Sequence, residues 1–233
     1  MDRKVKAGLA VGGGLLIAYL LFGGGGDGSD GGPTYARRQR ILSIALGEAA
    51  AKVREDSSNP HRNRSPRIDE YNAYAGPALG SPYCASFVTW VVGHAYDRSR
   101  RIPWMSGSTG ALMRTVRDAY RAGKIPEQYI AFPKYPSTLS RIRPGWVAIK
   151  GLPADGSSDP LEASAWSEGH AMIVVNPRSK VRPNHFDSVD GNTTGGGGTL
   201  GGVYETLREY ADPKMAIFFD PVAVTAALNP EIV

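Results

Sequence analysis

The stretch GSPYCASFVTW, residues 80–90, decides how this chain is read. Gly80, Ser81 and Pro82 interrupt regular structure, and after them Phe87, Val88, Val91, Val92 and Ala95 fall on one helical stripe. That pattern predicts a helix that starts at Cys84 and buries an apolar face. The first turn of a helix carries unbonded N–H groups and a partial positive charge. A thiol placed there is expected to ionise more readily than a free cysteine and to have backbone donors beside it that could hold an oxyanion. A cysteine next to Ala and Phe also serves as plain core filler, so the segment acquires meaning only through partners elsewhere in the chain.

Two later segments supply them. In GHAMIVV, residues 169–175, His170 precedes an apolar run and so stands at the opening of a buried strand, a rigid mount of the kind a general base needs. In FDSVDGNT, residues 186–193, Asp190 and Asn192 lie two residues apart, which on an extended chain puts both on one side. Either could hold an imidazole in its working tautomer, although Asp-Gly-Asn is also an ordinary turn sequence. The other histidines are placed less well. His61 sits in a polar loop, His94 lies ten residues beyond Cys84 in the same helix, and His185, ahead of a strand, is the reserve candidate.

Outward from these segments, Ile41, Leu42, Ala45, Leu46, Ala49 and Val53 recur at helical spacing from Tyr35 to about Asp56, and the polar run SSNPHRNRSPR ends that helix. A further helix is expected over TGALMRTVRDAYRAG, residues 109–123, with Gly123 as its stop. From Pro144 onward the pattern turns to short β-like runs between glycine-rich and Asp/Asn-rich turns: WVAIK at 146–150, AMIVV at 171–175, FDSV at 186–189 and MAIFF at 215–219. Helices first and strands second give an α+β domain, N-terminal helices packed on an antiparallel sheet, over residues 35–233.

Ahead of that domain, MDRKVK is basic and residues 7–22 carry no charge; the segment from Val5 to Phe22 just reaches the length of a membrane span. With no A-x-A-like cleavage site and no lipid-accepting cysteine, residues 1–22 read as an uncleaved single-pass anchor with the N-terminus inside and the domain outside. Residues 23–34, GGGGDGSDGGPT, read as a flexible tether. A net charge of +5 suits an anionic partner, but only RNRSPR and RSRR are basic clusters and no nucleic-acid motif accompanies them, so nucleic acid is not the expected partner. A single cysteine among 233 residues excludes an intramolecular disulfide and a multi-thiolate zinc site.

Taken in order, the Cys84 helix, the Gly-His strand and the acid-Gly-Asn-Thr segment resemble the CHAP family, the cysteine- and histidine-dependent amidohydrolases and peptidases of the papain-like superfamily. PYCASFVTW, residues 82–90, is similar to that family's P-W-C-A-A-F-V-x-W-like segment, with Tyr83 where Trp is common; GHAMIVV is similar to its G-H-V-G-I-V. RPGWVAIK looks like its Pro-Gly-Asp-rich strand opening with Trp146 in place of Asp, and VDGNT followed by Gly201, Gly202 and Val203 resembles its E-G-N-T and later G-G-V. The resemblance spans roughly residues 68–220. It implies Cys84 as nucleophile, His170 as base, and Asp190 and Asn192 as near-equal candidates to orient the histidine, since Asp190 is one methylene shorter than the usual Glu. It also implies amide cleavage in the peptide part of peptidoglycan, at the muramoyl-alanine bond or in the cross-bridge, with no metal or organic cofactor. Anchor, tether and hydrolase together would suit a bacterial envelope or a virion membrane. The rival expectation is a wall-binding or structural membrane protein whose site has lost its chemistry; a buried Cys84 with no histidine in reach would favour it.

Overall fold

The computed structural model describes residues 33–58, 62–155, 157, 159, 162, 166–179, 182, 184–194 and 200–233. The anchor expected over 1–22, the tether up to residue 32 and His61 lie outside the described residues. Among the described residues no helix is long and apolar enough to cross a membrane.

The domain is α+β. Helix α1 (Pro33–Ala50) starts two residues earlier than the tether boundary predicted and stops well short of Asp56, because Lys52 takes a left-handed φ of +54° and Arg54 bridges to Gly202. Its inward stripe is Ile41, Leu42 and Ala45. Helix α2 (Pro66–Ala75), not expected from periodicity, is framed by local chemistry: the Ser65 hydroxyl accepts from Ile68 N–H, Pro66 opens the first turn, and Gly76 closes it at φ +101°. Helix α3 (Cys84–Ala95) is buried on every side except at His94, which makes it the central helix of the domain. Helix α4 (Thr109–Arg121) begins behind a Ser108 cap and ends where Gly123 takes φ +69°.

Six strands form one antiparallel sheet in the order β1-β6-β2-β3-β4-β5: β1 (Ile130–Ala131), β2 (Val147–Pro153), β3 (Trp166–Asn176), β4 (His185–Thr193), β5 (Gly202–Glu209) and β6 (Met215–Phe219). Side chains of β2 and β3 alternate between two cores. Val147, Ile149, Ala171 and Ile173 join the large core shared with the helices, while Ala148, Met172 and Val174 join Trp146, Phe186 and Phe218 in a smaller core on the other face. Burial on both faces explains why residues 146–149 and 171–175 read as unbroken apolar runs. Helix α5 (Pro221–Leu228) follows β6, and its cap residue Asp220 accepts from Val222 and Ala223 N–H while pairing at 2.8 Å with the buried Arg38 of α1, which ties the C-terminal helix to the first one.

Candidate active site

The site lies where two strands part. The β3–β4 ladder runs from Asn176↔Asp187 to Met172↔Asp190 and ends there, although β3 continues back to Trp166 against β2 and β4 continues to Thr193 against β5. The backbone that β4 no longer covers meets the first residue of α3: the Cys84 sulfur accepts from Ala171 N–H and lies 4.0 Å from the Gly169 carbonyl oxygen. Glycine is needed on both prongs of this fork. A Cβ at Gly169 would stand 2.6 Å from Thr109 Cβ of α4, and one at Gly191 would stand 2.8 Å from Phe87 Cβ of α3, so the Gly-His and Asp-Gly-Asn signatures let two helices press against the strands that carry the polar residues.

Within the fork, Cys84, His170 and Asp190 form a continuous chain. The Cys84 thiol and the His170 imidazole are hydrogen-bond partners. His170 Nε2 stands 3.0 Å from Asp190 Oδ2, which leaves Nδ1 as the ring nitrogen for the sulfur. Asp190 is wholly buried; the Ser188 hydroxyl donates to its Oδ1, and Arg208 of β5 donates to Oδ2 from Nε at 2.9 Å and from Nη2. Thr109 Oγ1, at the start of α4, is 3.8 Å from the sulfur. Cys84 is 4% exposed and the His170 side chain 19%, so the imidazole reaches the surface while the carboxylate is sealed. Cys84 is therefore buried but has its histidine in reach.

The electrostatics follow from burial set against pairing. Burial alone would raise the Cys84 thiol; the hydrogen bond and charge of His170, with the Ala171 N–H, outweigh it and hold the thiol below its ordinary value. Burial would lower His170, yet the bonds to Asp190 and Cys84 carry its imidazolium up to about 9. Burial would likewise raise Asp190, and His170, Arg208 and Ser188 keep it below the usual carboxylate range. Each shift favours the charged form, which is the direction a thiolate–imidazolium pair backed by a carboxylate requires. The N–H groups of Cys84, Ala85 and Ser86 precede the first intrahelical bond, Phe87 N–H to the Tyr83 carbonyl at 2.7 Å, and so are first-turn donors of the kind that can bear an oxyanion.

A pH profile tests this arrangement. Alkylation of Cys84 by iodoacetamide is expected to persist at pH 6–7, where an ordinary thiol with pKa about 8.5 is protonated. It should change again near pH 9 as His170 loses its proton. A single inflection at the ordinary thiol value would contradict the ion pair.

Not every expected residue joins the site. Asn192 takes φ +56°, and the β4–β5 ladder slips between Asp190 and Thr193, so the premise that Asp190 and Asn192 share one side of an extended chain fails. Among the described residues only Asp190 of the two bonds to the imidazole. The Asp-Gly-Asn segment is also no turn but lies within the second half of β4. His185 stands at the other end of that strand, paired in register with Glu209. His94 stacks on Trp90 with ring centroids 4.0 Å apart and bonds to the Trp90 carbonyl. A cavity of about 660 Å³ between α1 and the far half of α3, lined by Glu48, Trp90 and His94, lies at the opposite end of the helix from Cys84 and includes neither the thiol nor His170.

Arg208, Ser188 and Thr109 were not legible as site residues. Nothing in the spacing links residue 208 to 190, because the link is a strand pairing and β5 itself was hidden: its Glu, Thr and Arg residues on an edge strand dilute the apolar pattern. No protein-family model, curated protein or solved structure matches this chain.

Proposed function

We propose that the chain is a cysteine amidohydrolase or peptidase of papain-like, CHAP type that cuts amide bonds in the peptide part of peptidoglycan. The observation that carries this reading is the hydrogen-bonded sequence Cys84–His170–Asp190, with the thiol in the first turn of a buried helix and its ordinary pKa lowered. The order of motifs along the chain supports the family assignment, and the positive charge suits an anionic wall.

In the chemistry proposed, the Cys84 thiolate attacks the amide carbonyl while first-turn N–H groups of α3 bear the developing oxyanion. The C–N bond breaks as His170 gives its proton to the leaving amine. Neutral His170 then takes a proton from water, hydroxide equivalent attacks the thioester, and the carboxylate product leaves with the thiolate restored. Asp190 holds the ring and stabilises its cationic form. These steps need no metal or organic cofactor. An anchor in residues 5–22 would confine cutting to wall beside the lipid membrane that holds it, whether bacterial or virion.

Hydrolysis of purified peptidoglycan by the full chain, with new amines and new reducing ends assayed separately, tests the reading. Amines without reducing ends are expected, and the masses of the fragments would separate the muramoyl-alanine bond from a cross-bridge bond. No release from several wall types by folded protein would favour the silent wall-binding reading.

A further inference from the structure

Asp190 has more partners than orienting a histidine requires. Its Oδ1 takes the Ser188 hydroxyl, and its Oδ2 is shared between His170 Nε2 and two nitrogens of Arg208. Arg208 stands on β5 opposite Phe186, not opposite Asp190, whose register partner is Tyr204, so the side chain must reach back along the sheet to make this contact. A carboxylate buried to 0% exposure that met only a histidine would be free to rotate about χ2 and present either oxygen. The two-pronged guanidinium contact fixes which oxygen faces the ring.

We infer that Arg208 is a positioning residue of this site: it pins the Asp190 carboxylate so that Oδ2 meets His170 Nε2 and the other ring nitrogen faces the Cys84 sulfur. The inference rests on the cysteine-hydrolase reading of the same site. It adds a fourth member to the chain and a limit on its charge. Cys84 thiolate, His170 imidazolium, Asp190 carboxylate and Arg208 guanidinium alternate in sign, and the alternation continues, because Asp212 feels the charge of Arg208 and is itself bonded by Lys150.

The groups facing the pair are thus Cys84 and Ala171 N–H on the sulfur side, Thr109 from α4, Asp190 and Ser188 from β4, Arg208 from β5, and Lys150 with Asp212 beyond it. Arg208 is a cation placed on the carboxylate side of the imidazolium. Its charge therefore opposes protonation of His170 and offsets part of what Asp190 contributes. Neutralising it should let His170 hold its proton to higher pH, while loosening the carboxylate should slow the thiol at neutral pH.

The single cysteine makes the test clean, since alkylation reports on Cys84 alone. The rate of iodoacetamide alkylation of the full chain is followed against pH for wild type, Arg208→Met, Arg208→Lys and Arg208→Gln. Arg208→Met is expected to move the upper inflection upward by about half a unit or more and to slow alkylation at pH 7 several-fold. Arg208→Lys should return the inflection toward wild type without restoring the full rate, because it supplies charge without the fork. Should Arg208→Met fail to fold, Arg208→Gln, which keeps one N–H donor for Oδ2 but no charge, carries the same expectation for the inflection. A wild-type profile in a folded, charge-neutral variant overturns the inference. Alkylation needs no wall substrate, so that result would sink the role of Arg208 alone, whereas failure of the wild type to release amines would sink the substrate reading alone.

Discussion

Cys84→Ala is expected to abolish amine release from peptidoglycan, a loss of about 10³-fold or more at neutral pH. The size of the effect follows from the absence of a substitute. Among the described residues, the hydroxyl bonded to the sulfur is Thr109 Oγ1, 3.8 Å away, and the hydrogen-bond partners of the His170 ring are Asp190 and the Cys84 thiol. An unactivated hydroxyl is a far weaker nucleophile than a thiolate. What remains in the variant is direct attack by water with His170 as base, helped by the first-turn N–H groups of α3. Circular dichroism and a urea unfolding curve on the same sample separate lost chemistry from lost fold. Activity within tenfold of wild type would remove Cys84 from the mechanism.

Asp190→Asn is expected to lower the rate by up to about 10⁴-fold with the fold retained, the order reached when the acid that orients a catalytic histidine is made neutral. The side chain keeps its shape and an oxygen able to accept from Arg208 or His170, so the loss is one of charge. Without the carboxylate the imidazolium loses its stabilising anion, and the His170 pKa falls from about 9. The sign is definite: a lowered histidine pKa withdraws the proton from the pair, the thiolate at pH 7 declines with it, and the alkaline limb of the activity profile moves to lower pH. Arg208 would meanwhile lose the anion it bonds through Nε and Nη2, so a drop in unfolding midpoint should accompany the loss. An unchanged profile would mean that His170 is oriented by something else, and Asn192→Ala is the next variant in that event.

Much of this was readable from residues alone, and the failures have physical causes. The start of α3 at Cys84 was legible because glycine and proline stop the chain just before an apolar stripe begins. The strands at 147–153 and 215–219 were legible from the apolar runs 146–149 and 215–219, which are buried on both faces. His170 and Asp190 were legible as candidates because one opens the apolar run GHAMIVV and the other lies in the acid-Gly-Asn-Thr segment that follows it. Helix α2 escaped because its tyrosines and polar residues blur the stripe, leaving only the Ser65 and Gly76 caps to mark it. The choice between Asp190 and Asn192 could not be made from spacing, since it turns on a left-handed residue and a ladder slip after Asp190. Arg208 was beyond reach for a different reason: its contact crosses strands at a diagonal that only the register defines.

The central claim is that the Cys84 sulfur becomes covalently bonded to the acyl half of a wall peptide during turnover. The measurement that tests it most directly is mass spectrometry of the full chain, quenched in acid while cutting soluble muropeptides and then digested. An acyl adduct is predicted on the peptide that contains Cys84, removed by hydroxylamine as a thioester should be. Steady amine release with that peptide unmodified at every time point, and undiminished in Cys84→Ala, would contradict it.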